Sequence, residues 1–537
     1  MRLSRIFWAF WVAGFASNLG AWMQLVGSAW LMTSLTASAA LVALLQTATS
    51  VPAFLLSLPA GALADVVDRR RLVIVTQSWQ VLTAATLGIL TIADVTTPAV
   101  LLIATFALAI GATLGLPVMG AIVPELVDRE HLPRAVALGA TASTLAQAIG
   151  PAIGGIVVAT AGSAIVFLLN AVAFGVVVLV AQGWQREPPV ATLPAEHVLG
   201  AMRAGARYVT HAPALDTVLI RAGAHIACFS ALPALLAVVA RVQFGASAAH
   251  YGILLGALGV GGVIGTLLLP RLRQRTAPDR LVVPATLTCG GTLVALGALG
   301  DFAAALPLMV VMGLANMTVM SSLNIAAQSV LPNWVRGRGL AVYQLVFAMC
   351  MATGAAAWGA LAASSGTETA LTAAGGALLL VASLAALFPL SATEGIDVRP
   401  AHHTEPHVGD VALDPEDGPV VVTVEYEVEP EHIPEFVSAM RELRRVRRRD
   451  GALQWTLCQD VAEPIRQVES FIVASWAEHQ RQLERTTQSD EALFARVHDA
   501  HGGREEPLVR HLLGQHFRRE RDHPPRLTRL RHLGHRS

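Results

Sequence analysis

The sequence predicts an all-α polytopic membrane protein, with 12 transmembrane helices in two six-helix halves, followed by a small C-terminal α+β domain. Three observations carry that reading. The chain of 537 residues is 54% hydrophobic and only 14% charged. Apolar runs of about 20 residues, the length needed to cross roughly 30 Å of hydrocarbon, recur along it. The charge is also unevenly placed: of 38 acidic residues, 12 precede residue 390 and 26 follow it. All 38 basic residues are Arg, 18 before that point and 20 after, so a net charge of zero hides a first part of about +6 and a tail of about −6.

The apolar runs lie at 6–33, 39–62, 72–93, 98–123, 135–160 and 163–182, then at 214–240, 247–270, 281–300, 303–329, 339–363 and 369–390. Residues 1–182 form one half and 214–390 the other, joined by a Pro-containing cytoplasmic linker at 183–213. The first run is longer than a signal-peptide core and stays as a span. Positive residues in short loops stay on the cytoplasmic side. With the N-terminus inside, 16 Arg of the first 390 residues fall on inner segments, Arg241 alone on an outer loop, and Arg221 within the seventh span. Both termini are therefore expected in the cytoplasm. Four scattered cysteines show no metal-ligand spacing, and no metal or cofactor is expected. The absence of a Gly-rich Lys motif argues against a built-in ATPase.

Between the second and third spans stands GALADVVDRRRLV, with Gly61, Asp65, Asp68, Arg69 and Arg70. Gly61 permits close helix approach, Asp65 suits a neighbouring helix N-terminus, and the Arg run holds the loop inside. The pattern resembles the gating loop of the major facilitator superfamily, with Val66 in place of a basic residue and Asp68 in place of Gly. Longer stretches, including IVPELVDREHLPRAVALGATASTLAQAIGPAIGGIV and LPNWVRGRGLAVYQLVF, resemble the enterobactin-exporter-like branch, also called transmembrane secretion effectors. Gly150, Pro151, Gly154 and Gly155 are similar to the fifth-span motif of its exporters. The resemblance implies alternating access, most often for export. It also implies docking of Asp65 near the start of the eleventh span (Trp334, Arg336, Gly337, Arg338) in the outward-open state. An Asn near Gly139 and an Arg at Gln147, usual in the branch, are missing.

No acidic residue falls in the middle of a span. The intramembrane candidates for coupling are Arg221 and His225, one turn apart on the seventh helix, with Asp94 and Glu125 as alternatives. Asn18, Gln24, Gln46, Asn324, Gln328 and Gln344 lie on spans that line the cavity in this superfamily, while Gln77, Gln147, Asn170 and Asn316 are further polar residues within spans. With Trp22, Phe54, Phe347 and several Met they point to a large amphiphilic substrate rather than a sugar or an inorganic ion. Taken with the resemblance, the expected cargo is a small amphiphilic molecule, drug or siderophore-like, and the resemblance implies protons as the coupled ion. The expected setting is the cell membrane. Rival readings are an importer of the same fold and a membrane-anchored enzyme.

Residues 391–418 read as a flexible linker and 516–537 as a basic tail. Between them, alternation at 420–428, a helical period from Glu431, and alternating runs at 453–459 and 467–474 begin a β-α-β-β-α-β order. Ser475 and Glu478 suggest a capping box for the second helix, and PLVRHLL a last strand. That order predicts a ferredoxin-like domain over 419–515. It resembles the antibiotic-biosynthesis-monooxygenase-like domain of some branch members, a fold that usually dimerises. Trp455, Trp476, His479 and His498 are candidate pocket residues, but no acid–base set accompanies them, so no catalytic residue is assigned. Arg441 to Arg449 read as a solvated helix face rather than a nucleic-acid site.

Overall fold

A computed structural model describes residues 4–184, 207, 208, 210–332, 334–393, 397–399, 401, 414–501 and 506–514. Most of the two expected linkers and the whole expected basic tail lie outside the described residues. So do the side chains of Asp65, Val66 and Arg129. The chain divides into two compact units, residues 1–398 and 399–537.

Among the described residues, the first unit holds 12 helices long and apolar enough to cross a membrane. In chain order they are α1 (Arg5–Leu35), α2 (Ala39–Val66), α3 (Arg69–Ile92), α4 (Pro98–Leu126), α5 (Leu132–Ala161) and α6 (Ser163–Gly183). The second half supplies α7 (Pro213–Gln243), α8 (Ala248–Arg273), α9 (Pro278–Ala298), α10 (Phe302–Ser329), α11 (Arg336–Ser365) and α12 (Thr367–Leu387). Polar N-caps set several starts: Ser4, Ser38, Thr97 and Asp301 each accept an N–H of the first turn. Asp68, which stands where the superfamily pattern has Gly, has the same task, accepting the Arg71 N–H at 2.9 Å to start α3. Because consecutive helices run in opposite directions, Arg5, Arg69–Arg71, Arg134, Arg271–Arg280 and Arg336–Arg338 all gather at one end of the unit.

Helix α7 is broken. It runs α-helically to Phe229, turns at Ser230, resumes at Ala231 and ends in a π-turn over Val239–Gln243. Pro233 has no N–H for the Phe229 carbonyl, which accounts for the interruption. At the turn, the Ala227 carbonyl accepts from the Trp358 indole and the Ser230 hydroxyl, each at 2.7 Å. Residues Ala231 to Ala240 are buried apart from a half-buried Pro233, so this stretch has almost no outward face.

The second unit is β1 (Val420–Glu427), α13 (Ile433–Asp450), β2 (Gln454–Gln459), β3 (Arg466–Val473), α14 (Trp476–Arg485), α15 (Gln488–Asp499) and β4 (Leu508–Leu513). The strands form one antiparallel sheet in the order β2-β3-β1-β4. Val420, Val422, Val424 and Tyr426 face Phe436, Met440 and Leu443 of α13 across its core. Two expectations for this unit need correction. Ser475 caps α14 by accepting the Glu478 N–H at 3.3 Å, but the Glu478 carboxylate turns to Arg485 at 2.7 Å rather than back to the cap. The Arg run is not wholly solvated either. Arg447 binds buried Glu469 at 3.0 Å, and Arg449 forks between Asp450 and Asp490 at 2.8 and 2.7 Å. Burial pushes the Asp450 carboxyl up against the opposing pull of Arg449, whereas Asp490, with Arg449 and Thr487 outweighing its own burial, is held low.

Candidate functional site

The two halves meet at the end opposite the arginines and part at the Arg-rich end. On the closed side, small residues let backbones touch. A Cβ added to Gly155 of α5 would sit 2.6 Å from the Ala248 carbonyl of α8, and Gly259 of α8 packs on Ala148 of α5. Helices α2 and α11 close the other flank, where Gly359 lies against Ala40 and Ala43, and the Thr47 hydroxyl donates to the Ala352 carbonyl at 3.0 Å. Arg241, the exception to the sequence's charge rule, donates to Thr33 at 3.1 Å and stands 5.4 Å over the Trp30 ring, bridging α7 to α1. Trp30 in turn stacks on Tyr251 of α8.

At the Arg-rich end the arrangement is loose. Among the described residues, Gly61 of α2, Gly139 of α5 and Gly337 of α11 have nothing within 4 Å of the place a side chain would take. Arg69 donates to Glu125 of α4 at 2.6 Å and to the Ala121 carbonyl at 3.1 Å; Arg70 donates to the Ala181 and Gln182 carbonyls ending α6. Arg69 and Arg70 thus bind their own half. Arg336 donates to Leu331 at 3.4 Å, and Trp334 packs edge-on against Tyr208.

Between these ends lies a cavity of about 290 Å³. Helices α1, α2, α3, α4 and α6 line it, and the second half adds only Pro233 and Ala234 of α7 and Tyr251 of α8. Its wall is apolar, with Trp22, Leu25, Leu108 and Phe174, and is interrupted by Gln24, Ser28, Gln46, Thr49, Gln80, Thr105 and Asn170. The Asn170 side chain donates to the side-chain amide oxygen of Gln24, Oε1, and fits the notch left by Gly20. Gln46 donates to Ser50 at 3.3 Å.

Of the residues singled out from sequence, Trp22, Gln24, Gln46 and Asn170 reach this cavity. Asn18 and Gln344 are exposed elsewhere, and Gln328 donates to Asn324 at 2.6 Å. Gly150 and Gly154 allow close approach to Trp22 and Met23 of α1, while Gly155 faces the other half; Pro151 is buried beside them. Arg221 and His225 lie one turn apart yet take different partners. Arg221 donates to Asp279 at the start of α9 and to the Phe388 carbonyl at 3.3 Å, while Asp279 also accepts the Leu390 N–H at 2.7 Å. His225 is 1% exposed, with Nε2 3.2 Å from Asn316 Oδ1 of α10 and its ring stacked on Phe229. Gln80 was not singled out at all, because nothing in a lone Gln on an apolar helix says which way it faces.

In the C-terminal unit, Trp455 donates to Glu469 at 2.8 Å. Trp476 and His479 cluster with His511, whose ring centre is 4.8 Å from that of His479. Burial, then the neighbouring His511, lowers the His479 pKa to about 4.

Two six-helix halves around a cavity closed at one end define a membrane transporter of the major facilitator type. The solved structure of a bacterial homologue of the human lysosomal transporter Spinster, inward-facing and occupied, shares the fold with a TM-score of 0.60 at 14% identity, over 72% of this chain and 96% of that one. The profile of the transmembrane secretion effector family matches residues 3–520, and the chain belongs to that family of major facilitator transporters, which are not enzymes. Among its relatives, the staphyloferrin A transporter of Staphylococcus aureus is 26% identical over 49% of this chain and 66% of its own length. The enterobactin exporter EntS of Shigella boydii is 30% identical over 50% of this chain and 62% of its own. The chain thus spans just under two thirds of these relatives' length.

Proposed function

We propose that the protein is a secondary active exporter of small amphiphilic molecules, drug or siderophore-like, working by alternating access and driven by protons. The observation that carries this is the cavity: apolar with a few neutral polar groups, sealed at one end by Gly and Ala contacts between the halves and unsealed at the other. On this reading the Arg-rich end, with both termini, faces the cytoplasm of a cell-membrane protein, and the conformer described is open inward. Asp65 then docks near the start of α11 only when the Arg-rich end closes, which agrees with the free space around Gly61 and Gly337. His225 with Asn316, joining α7 to α10, is the proposed proton site, because it is an ionisable side chain held inside a span just before the break in α7. Names of two relatives as transporters of siderophores support the substrate class.

The C-terminal unit we take as a ferredoxin-like, monooxygenase-related module that dimerises or regulates. The order β2-β3-β1-β4 is the one that fold requires. Its outer sheet face presents Val421, Ile472 and a half-exposed Leu512.

The test uses inverted membrane vesicles containing the full chain and a panel of neutral, cationic and anionic amphiphilic dyes. Accumulation that needs a pH gradient, persists without residues 391–537 and is abolished by Asp65→Ala supports the proposal. Accumulation only in right-side-out vesicles would show an importer instead.

A further inference from the structure

The cavity is built for an uncharged ligand. Among the described residues, every polar side chain on its wall is neutral: the amides of Gln24, Gln46, Gln80 and Asn170, the hydroxyls of Ser28, Thr49, Thr105 and Tyr251, and the Trp22 indole. No Arg, His, Asp or Glu among the described residues lines it. The two arginines of α7 are engaged away from it, Arg221 on Asp279 and Arg241 over Trp30. A carboxylate or catecholate entering this wall would lose its hydration and meet no opposite charge, an arrangement that proteins avoid by pairing.

The buried amide pair sharpens the chemistry. Gln24 is 6% exposed and Asn170 2%, and their mutual hydrogen bond leaves Gln24 Nε2 and Asn170 Oδ1 without a partner among the described residues. Exchanging the oxygen and nitrogen of both side chains reverses the roles but still leaves one donor and one acceptor over. We propose that this subsite recognises a compact, uncharged and mainly apolar molecule, or such a segment of a larger one, through an amide, lactam or alcohol group, and that it rejects anions. Its 290 Å³ matches the small end of ligand pockets. The inference rests on reading the chain as an exporter, and it narrows the substrate within that reading: an anionic chelator does not belong here.

Binding tests it without requiring transport. The full chain in lipid nanodiscs is titrated at pH 8 with radiolabelled 2-naphthylacetamide and with 2-naphthylacetate, matched in shape and differing in charge. The amide is expected to bind at least about tenfold more tightly, and Gln24→Leu and Gln80→Leu each to weaken it by about tenfold. Equal or tighter binding of the carboxylate overturns the inference, as does binding of the amide by both variants as well as by the natural chain. If dyes accumulate in inverted vesicles but neither naphthyl compound binds, the inference fails and export stands. Amide binding with no accumulation has the opposite meaning.

Discussion

The membrane unit and the C-terminal unit solve the problem of close packing in opposite ways. Between the halves of the membrane unit, side chains are mostly removed: Gly155, Gly252 and Gly259 let backbone lie on backbone, and Gly359 lies against Ala40 and Ala43. In the C-terminal unit, charges are added. Arg447, Arg449 and Arg485 are tucked beneath the sheet against Glu469, Asp450, Asp490 and Glu478. Contacts made of glycine and alanine have no directional bonds to break, so they suit surfaces that must part and re-form. Buried forked ion pairs hold one geometry, because losing one partner strands the other. The difference teaches where movement belongs: between the halves of the first unit, not within the second.

The comparison can be broken most severely at Arg449. Arg449→Met strands Asp450 and Asp490, 1% and 6% exposed, and should cost the C-terminal unit about 3–5 kcal/mol. Denaturant unfolding of the full chain, followed by hydrogen exchange in β1 and β3, measures it, and an unchanged midpoint would refute the rigid-network view. The next effect is one of pH. Since folded His479 titrates near 4 against an ordinary value of 6.5, the unfolded chain takes up a proton that the folded one refuses between those values. Stability of this unit should therefore drop as pH falls from 6.5 to about 4, by about 3 kcal/mol in total, and His479→Phe should flatten that slope. Exchange protection in α14, corrected for intrinsic rates, reads it out.

On the other side of the comparison, Gly155→Leu puts a side chain where the Ala248 carbonyl already lies. It should hold the closed end apart, costing about 1–3 kcal/mol and most transport, while insertion stays normal. Cysteine accessibility at position 248 checks this: labelling from that end should rise. The smallest effect belongs to Arg241→Ala, which removes an exposed cation–π contact worth about 0.5–1 kcal/mol and shifts the same labelling only a few-fold.

Much of the fold was legible because a bilayer imposes a length. Twelve apolar runs became twelve helices, and the differences lie at ends where polar residues extend a helix beyond the hydrocarbon: α2 runs on to Val66, and α11 begins at Arg336. The site was less legible. Gln24 and Gln46 could be read from their helices, but Gln80 and Asn170 reach the cavity through rotations that a continuous apolar helix does not encode. The burial of Arg447 had a faint signal, since it follows Met440 and Leu443 on the same face of α13. Its partner Glu469 is 22 residues away on another strand, which no local period discloses. The break at Ser230 depends on Pro233 and on a tryptophan from α11, so only half its cause is local.

That break leaves one segment in an unusual position for a membrane protein. As part of α7, Ala231 to Ala240 is as apolar as a span that faces lipid, yet in the finished molecule it is walled in by protein and has almost no lipid to dissolve in. Biogenesis must therefore handle it twice, first laterally released as an ordinary span, then drawn out of the lipid as its neighbours close around it. Variants that slow this withdrawal would mature poorly even when every finished contact is intact.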